Sequence, residues 1–458
     1  MSLRPRFLTL VLMFALASGI FHAQAARVTV IEGVTLIDGT ARGPMQDAVI
    51  VIDGARITQV GARKAITSPQ NATIIDGKGR FVIPGLADMH HHLLSGSTFP
   101  RPNRQTHLRR MLAVGVTTIF NPSLNLKDFA MLKAAAGEDA SPFPRFFSTG
   151  PMISIKGDLM AALEGGASPE TPTDARAVVR DLKAAGVDAI KVMRDDMSWG
   201  TKQKLPVMKG DVLKALVMEA HQQGLKVFVH APMSKYAKES LRAGVDGLMH
   251  GVIDEPVDQE FIDLMKRNGA SYVSTMTLFN DMADFVGWAH RQAPNWDKAG
   301  FQPPRLYDDL TSARSTQQFA SIWTNAASVK EHLPVQRANL KRVFDAGVPI
   351  VLGTDTGFEG ILIGVSTHIE LELLVDAGLA PQDALLAATV NAARMVGREK
   401  EFGTIERGKQ ADLVILEADP LADIRNVSRI YRTFKGGVAY EPVDVAKTVP
   451  RPQLLPVK

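Results

Sequence analysis

The chain of 458 residues contains no cysteine. That absence excludes a disulfide framework, a thiol nucleophile, a thiolate-bound metal and a lipid anchor attached at a processed cysteine. Any metal here has to be held by His, Asp, Glu or a modified side chain. An excess of one charge is missing too. With 52 Lys and Arg against 48 Asp and Glu, the formal net charge is +4, and no basic block marks a nucleic-acid partner. Beyond the first segment there is no apolar run long enough to cross a bilayer, and there is no internal repeat or low-complexity stretch. Hydrophobic residues at 45% and charged residues at 22% give the balance of an ordinary globular protein. The length accommodates one large domain with a smaller one appended.

The opening segment has a different task. Arg4 and Arg6 precede an almost wholly apolar run from Phe7 to Phe21, and Ala23-Gln24-Ala25 supplies a small-x-small pattern. Residues 1–25 read as a secretory signal peptide cleaved near Ala25, too short in its apolar part for a stable membrane anchor. The expectation is an exported protein, periplasmic or extracellular, that acts on a small-molecule substrate; a homo-oligomer is left open.

Residues 26–83 read as β structure. Val28–Ile31, Ala48–Ile52, Ile57–Val60 and Thr73–Ile75 are short β-branched runs, with turn chemistry at Asp53-Gly54 and Asp76-Gly77-Lys78-Gly79. From there to about residue 401 strands alternate with amphipathic helices. Strand candidates are Val116–Ile119, Ala189–Val192, Lys226–Val229, Ser271–Val273 and Pro349–Leu352, and helical stretches include Asp174–Ala185, Val212–Gln223 and Gln336–Ala346. Such alternation argues for an α/β fold with parallel strands, and a (β/α)8 TIM-like barrel over 84–401 fits the length. A polar, Trp- and Pro-containing stretch at about 280–330 reads as a helical insertion over the barrel mouth. Over 402–458 the β character returns, with Gly403-Thr404-Ile405, Ala411–Leu416 and Val427–Phe434 as strands. The two flanking β segments are expected to pair into one small composite β-sandwich.

The sharpest chemical signal is Pro84-Gly85-Leu86-Ala87-Asp88-Met89-His90-His91-His92. Residues two apart on a strand face the same way, so His90 and His92 project together into the barrel while His91 points out. Alone, a His-x-His pair is weak. His230 ends the strand 226–229, His250 follows Gly247-Leu248-Met249, Asp355 ends the run 349–354, and Lys191 lies inside 188–192. All six sit at or near the carboxyl ends of strands, the face where barrel active sites form. Each alone reads equally well as a packed histidine, a helix cap or a snorkelling lysine; together they point to a metal site.

At this point a resemblance becomes definite. Val34–Gly39, the 84–93 segment, Gly115-Val116-Thr117-Thr118, Gly353-Thr354-Asp355-Thr356-Gly357 and the run from Gly403 to Leu413 resemble the amidohydrolase superfamily. The most similar part is the group with prolidase-like and Xaa-Arg dipeptidases and imidazolonepropionase relatives. The resemblance spans nearly the whole chain after residue 25. It implies a barrel flanked by a β-sandwich, and metal-ligand roles for His90, His92, Lys191, His230, His250 and Asp355. A lysine ammonium repels cations, but carbamylation by CO2 turns Lys191 into an anionic bridge. That step needs the neutral amine, which burial favours. Two divalent cations, balanced by the carbamate, Asp355 and a bridging hydroxide, leave the site near neutral, as a buried centre requires. The donor set suits zinc and accepts manganese, cobalt or iron. The expected reaction is hydrolysis of an amide or peptide-like C–N bond in a dipeptide, N-acyl amino acid or cyclic amide. Asp355 would carry the proton to the leaving nitrogen.

Other positions are less determined. Asp88 reads either as an orienter of the histidines or as a structural hydrogen-bonding group. Arg194 reads as a clamp for a substrate carboxylate or as a solvated surface residue, and the second is favoured. His368 reads as a site residue or as packing. Relatives often carry Gly-Gly-His after the third strand, where this chain has Ser154-Ile155-Lys156-Gly157-Asp158. The alternatives are a mononuclear deaminase or lactonase of the same superfamily and a non-catalytic metal-binding scaffold. The retained Lys191, and Ala231-Pro232-Met233 after His230 in place of an early Glu, argue against the deaminase. The full set of six argues against the scaffold.

Overall fold

β-Branched runs broken by Asp-Gly and Asp-Gly-Lys-Gly turns fold as the pattern demands, into β1 (Thr29–Leu36), β2 (Met45–Asp53), β3 (Arg56–Ala62), β4 (Thr73–Asp76) and β5 (Phe81–Pro84). The computed structural model describes residues 28–93, 104–137, 139, 141–158, 162, 164–292, 306–358 and 360–448; the signal peptide expected over residues 1–25 lies outside them. Eight parallel strands follow: β6 (Leu86–Asp88), β7 (Val116–Asn121), β8 (Arg145–Ser148), β9 (Ile190–Met193), β10 (Val227–His230), β11 (Gly247–Met249), β12 (Ser271–Val273) and β13 (Ile350–Val351). The chain closes with β14 (Leu413–Leu416), β15 (Ile430–Lys435) and β16 (Val438–Tyr440).

The first and last groups share one mixed sheet, ordered β16-β15-β14-β5-β1-β2-β3, with β4 paired to β1. β14 runs antiparallel to β5, Leu413 opposite Pro84 and Leu416 opposite Phe81. One face of this sheet buries Ile31, Val34, Ile50, Ile57, Leu413 and Phe434.

The parallel strands form two sheets, β6-β7-β8 and β9 to β13. Backbone bonds link them at both edges. Met89 N–H donates to the Leu352 carbonyl (3.0 Å) and Asp355 N–H to that of His90 (2.7 Å). On the other side Asp188 N–H donates to Ser148 (2.9 Å) and Ile153 N–H to Lys191 (2.8 Å). Ala87, Phe120, Ala189, Phe228, Met249, Val273 and Val351, each on or beside a different parallel strand, meet in one apolar cluster, and Phe147 of β8 packs against it.

Helices lie between the strands. That over Pro172–Ala184 shows why: Pro172 opens it, Thr171 and Asp174 form a reciprocal capping box, and Ala175, Val179 and Leu182 make one buried stripe. Between β12 and β13 the chain inserts helices Met276–Ala283, Phe285–Gln292, Leu306–Thr311, Ala313–Ile322 and Ala326–Asp345. No helix among the described residues is long and apolar enough to cross a membrane.

Two expected strands differ. Gly403-Thr404-Ile405 is a turn: Gly403 has φ +94°, and a Cβ there would meet the Thr389 carbonyl at 3.0 Å. The strand expected from Val427 begins only at Ile430, because Asp423 caps a 3-10 turn over Ile424–Ser428 by accepting the Arg425 N–H.

Candidate metal centre

His90 and His92 lie just past β6, where the chain is still extended: His91 bridges to Thr356 in parallel register. Opposite them runs Gly353-Thr354-Asp355-Thr356-Gly357, and its two glycines are steric necessities. A Cβ on Gly353 would stand 2.7 Å from the His90 Cβ, and one on Gly357, itself at φ +129°, 2.5 Å from the His92 Cβ. Only glycine lets this segment press the Asp355 carboxylate against both rings. His230 ends β10, His250 directly follows β11, and Lys191 is the second residue of β9. All six expected residues line one cavity of about 650 Å³.

His90 Nε2 and His92 Nε2 are 3.2 Å apart, and each faces Asp355 Oδ1, at 3.3 and 3.0 Å. The His90 and His250 ring centroids are 4.6 Å apart, and those of His230 and His250 4.5 Å. Burial, then the neighbouring Lys191 and histidines, hold His90 well below the usual histidine range; burial, then His230 and Lys191, do the same to His250. The His90–Asp355 contact is therefore not an ion pair at neutral pH. Asp355 Oδ1 accepts no hydrogen bond although two ring nitrogens lie within 3.3 Å. Buried imidazole nitrogens converging on a carboxylate oxygen that accepts no hydrogen bond are a donor set that fits a cation. Burial lowers Lys191 to about 7 against the opposing pull of Asp355, so its neutral amine is accessible near neutral pH. Neither His250 nor Asp355 is glycine, yet they sit at φ +126° and +61°, a backbone cost of the kind found at functional sites.

Two residues with no assigned role belong to this centre. Thr275, at φ +42°, places its Oγ1 2.9 Å from His250 Nδ1. That bond occupies Nδ1 and leaves Nε2 free. Asp195 Oδ2 lies 3.2 Å from His230 Nε2 and accepts the Trp199 indole N–H at 2.5 Å. Asp88 is a structural tie. Its carboxylate accepts from the His90 N–H (3.3 Å), the Thr354 N–H (3.1 Å) and the Thr354 hydroxyl (2.7 Å), and meets the His91 ring at 3.0 Å. His91 points away from the cavity as expected, but into protein, where its Nε2 meets His107. The surface reading of Arg194 is overturned: it is buried and bonded to Glu239 and the Met208 carbonyl, away from the cavity lining. His368 is packing, its Nε2 bonded to the Val114 carbonyl at 2.9 Å.

The turn that carries Thr275 is held from a distance by Glu370. That fully buried carboxyl accepts from Ser274 Oγ (2.6 Å), Met276 N–H and Thr277 N–H (both 2.8 Å), capping the helix that starts at Met276. Burial raises it to about 7. Since folding raises this pKa, the contribution is complete below the ordinary 4.5 and is lost as pH rises through about 7. Glu370→Gln, which mimics the protonated form, should remove that slope. The difference in stability between pH 5 and 7.5 should shrink by up to about 3 kcal/mol relative to the parent, read by denaturant unfolding. Equal slopes would show that Glu370 does not titrate in this range.

Imidazoles, a carboxylate and a low-pKa lysine at or near the carboxyl ends of parallel strands form a candidate metal position in an α/β fold. Residues 81–439 match the Amidohydrolase family, and the chain belongs to it; it is a hydrolase acting on carbon–nitrogen bonds. Among its relatives, the ochratoxinase of Aspergillus niger is 25% identical over 469 aligned residues, 92% of this chain and 88% of that protein. A solved Xaa-Pro dipeptidase with methionine bound in its active site is 25% identical, with a TM-score of 0.70 over 90% of this chain and 100% of the other. A putative prolidase from Bifidobacterium longum has the same identity and TM-score over 93% and 99%. Family and neighbours imply a TIM-like barrel with an extra domain.

Proposed function

We propose that this chain is an exported, metal-dependent amidohydrolase that cleaves an amide or peptide-like C–N bond with Asp355 as proton carrier. The observation that carries the reading is the approach of His90 Nε2 and His92 Nε2 to an Asp355 oxygen that hydrogen-bonds to neither. Under it, His90, His92, His230, His250, Asp355 and a carbamylated Lys191 hold two divalent cations, with zinc the best fit to nitrogen and oxygen donors. Bound there, the metal supplies water of lowered pKa and a polarised carbonyl. The chain's own residues do the rest. Thr275 and Asp195 fix ring orientation, and the neutral Lys191 amine takes up CO2. Asp355 accepts a proton from the attacking water and delivers it to the leaving nitrogen.

The architecture proposed with it is a (β/α)8 barrel over residues 84–401, supported by the bonds at both seams and the shared inner cluster. Residues 26–83 and 402–458 supply the flanking β domain, supported by the pairing of β5 with β14. Export rests on the leader pattern of residues 1–25. Substrates within reach of the reading are dipeptides, N-acyl amino acids and cyclic amides.

Metal analysis of the purified protein, paired with a hydrolysis screen over those three classes, tests the proposal. Expected are about two divalent ions per chain, turnover of at least one class, loss of activity on chelation and its return on adding metal back. Undiminished activity after complete metal removal would end it. Thr275→Val keeps the shape and removes the hydroxyl beside His250. It should weaken metal retention about tenfold, measured by competition with a chelator, and unchanged retention would remove Thr275 from the centre.

A further inference from the structure

Three separate loops bring aromatic rings to the cavity mouth, and the rings form an arc. Phe358, past β13, lies 5.7 Å from the His92 ring, edge to face. Trp323, between helices Ala313–Ile322 and Ala326–Asp345, lies 6.4 Å from Phe358 and stacks 6.0 Å from Trp199. Trp199, past β9, lies 6.3 Å from the His230 ring. The arc thus begins and ends on two of the six converging residues.

Its fit is tight and its faces are apolar. A Cβ on Gly200 would stand 3.1 Å from the Trp323 ring, so the indole is seated on bare backbone. The Trp199 N–H is taken by Asp195, and its ring, 3% exposed, backs the Trp323 indole. Trp323 and Phe358 are half-buried, and the neighbouring Ile322 is 45% exposed. The lining also includes Met152, Met193, Met197 and Met282, flexible thioethers that mould to a flat ring. Among the described residues no arginine lines the cavity, and the cations there are Lys191, within the centre, and the exposed Lys202. A small polar substrate would leave these walls wet; a large apolar one would remove them from water.

We infer that the substrate carries, on one side of the scissile C–N bond, a bulky aromatic group, held on the Trp323 and Phe358 rings of this arc. This rests on the amide hydrolysis proposed for the same site.

Three matched amides test it: N-acetylglycine, N-(2-naphthoyl)glycine and N-acetyl-2-naphthylamine. At least one naphthyl compound should exceed N-acetylglycine in kcat/KM by about 100-fold. Trp323→Ala should cut that preference about tenfold at unchanged metal content. A preference for N-acetylglycine, or equal losses on all three in the variant, would overturn the inference. Hydrolysis of none of them, or of any other amide, would count against the hydrolytic reading instead. The arc is then judged by equilibrium dialysis with 2-naphthamide. Saturable binding weakened about tenfold by Trp323→Ala supports it, and no saturable binding overturns it.

Discussion

Asp355→Asn should turn over at least about 100-fold more slowly than the parent while keeping most of its metal. The side chain is fully enclosed, and its Oδ1 faces the His90 and His92 nitrogens. Asparagine preserves the shape and one oxygen donor, so the geometry of the pair survives. It cannot accept a proton, so the proposed transfer from attacking water to leaving nitrogen would lose its carrier. The strained backbone at φ +61° favours asparagine as well, because Asn tolerates the left-handed region better than most residues. Folding should therefore be intact. The experiment reads kcat and bound metal together on the best substrate of the screen. Parental turnover at full metal occupancy would remove the proton role from Asp355, even with every donor where the geometry places it.

Lys191→Ala should fail in the opposite way. Here metal should be lost first and activity follow, by about 100-fold or more, because the charge of the proposed pair of cations would go unbalanced in a buried site. Short carboxylates or bicarbonate added to the variant should restore part of both, since the cavity left by the lysine stem can admit an anion. The parent carries its own pH signature: with the amine lowered to about 7, loading with CO2 and metal should proceed at neutral pH and slow steeply in acid, where the amine is protonated. Full metal content in Lys191→Ala would show that the lysine is a neighbour of the centre rather than part of it.

Most of this centre was legible because it is built from strand ends. A residue at the carboxyl end of a parallel strand lands on the same face as its counterparts, whatever the sequence between them. Six residues scattered from 90 to 355 therefore announced one place. The supporting residues gave no such signal. Thr275 reaches His250 only because its backbone is turned to φ +42°, and Glu370 holds that turn from a helix far along the chain. Nothing local to Thr275 encodes this. Arg194 misled for a related reason: its partner Glu239 lies on helix Ser234–Ala243, beyond the whole of β10, and composition alone assigns an arginine to water. Trp323 sits in the stretch read as a helical cover, but its alignment with Trp199 and Phe358 depends on the bare surface of Gly200. Residues 403–405 and 427–429 read as strand because β-branched residues surround them; a backbone angle at Gly403 and the side-chain cap at Asp423 decide otherwise.

The sheet shared by the two chain ends also sets an order of events during synthesis. β5 lies between β1 and β14, and Arg56 bonds to the Gly408 carbonyl across 352 residues. As the chain is made, β1 to β5 can assemble early, but the β5 edge stays open until β14, hundreds of residues later, has appeared. Its Phe81-Val82-Ile83 run is an apolar strand with unpaired backbone, the kind of edge that captures other chains. β14 is thus a seal on the first segment, and a chain cut short before it would expose a sticky edge rather than lose a dispensable tail.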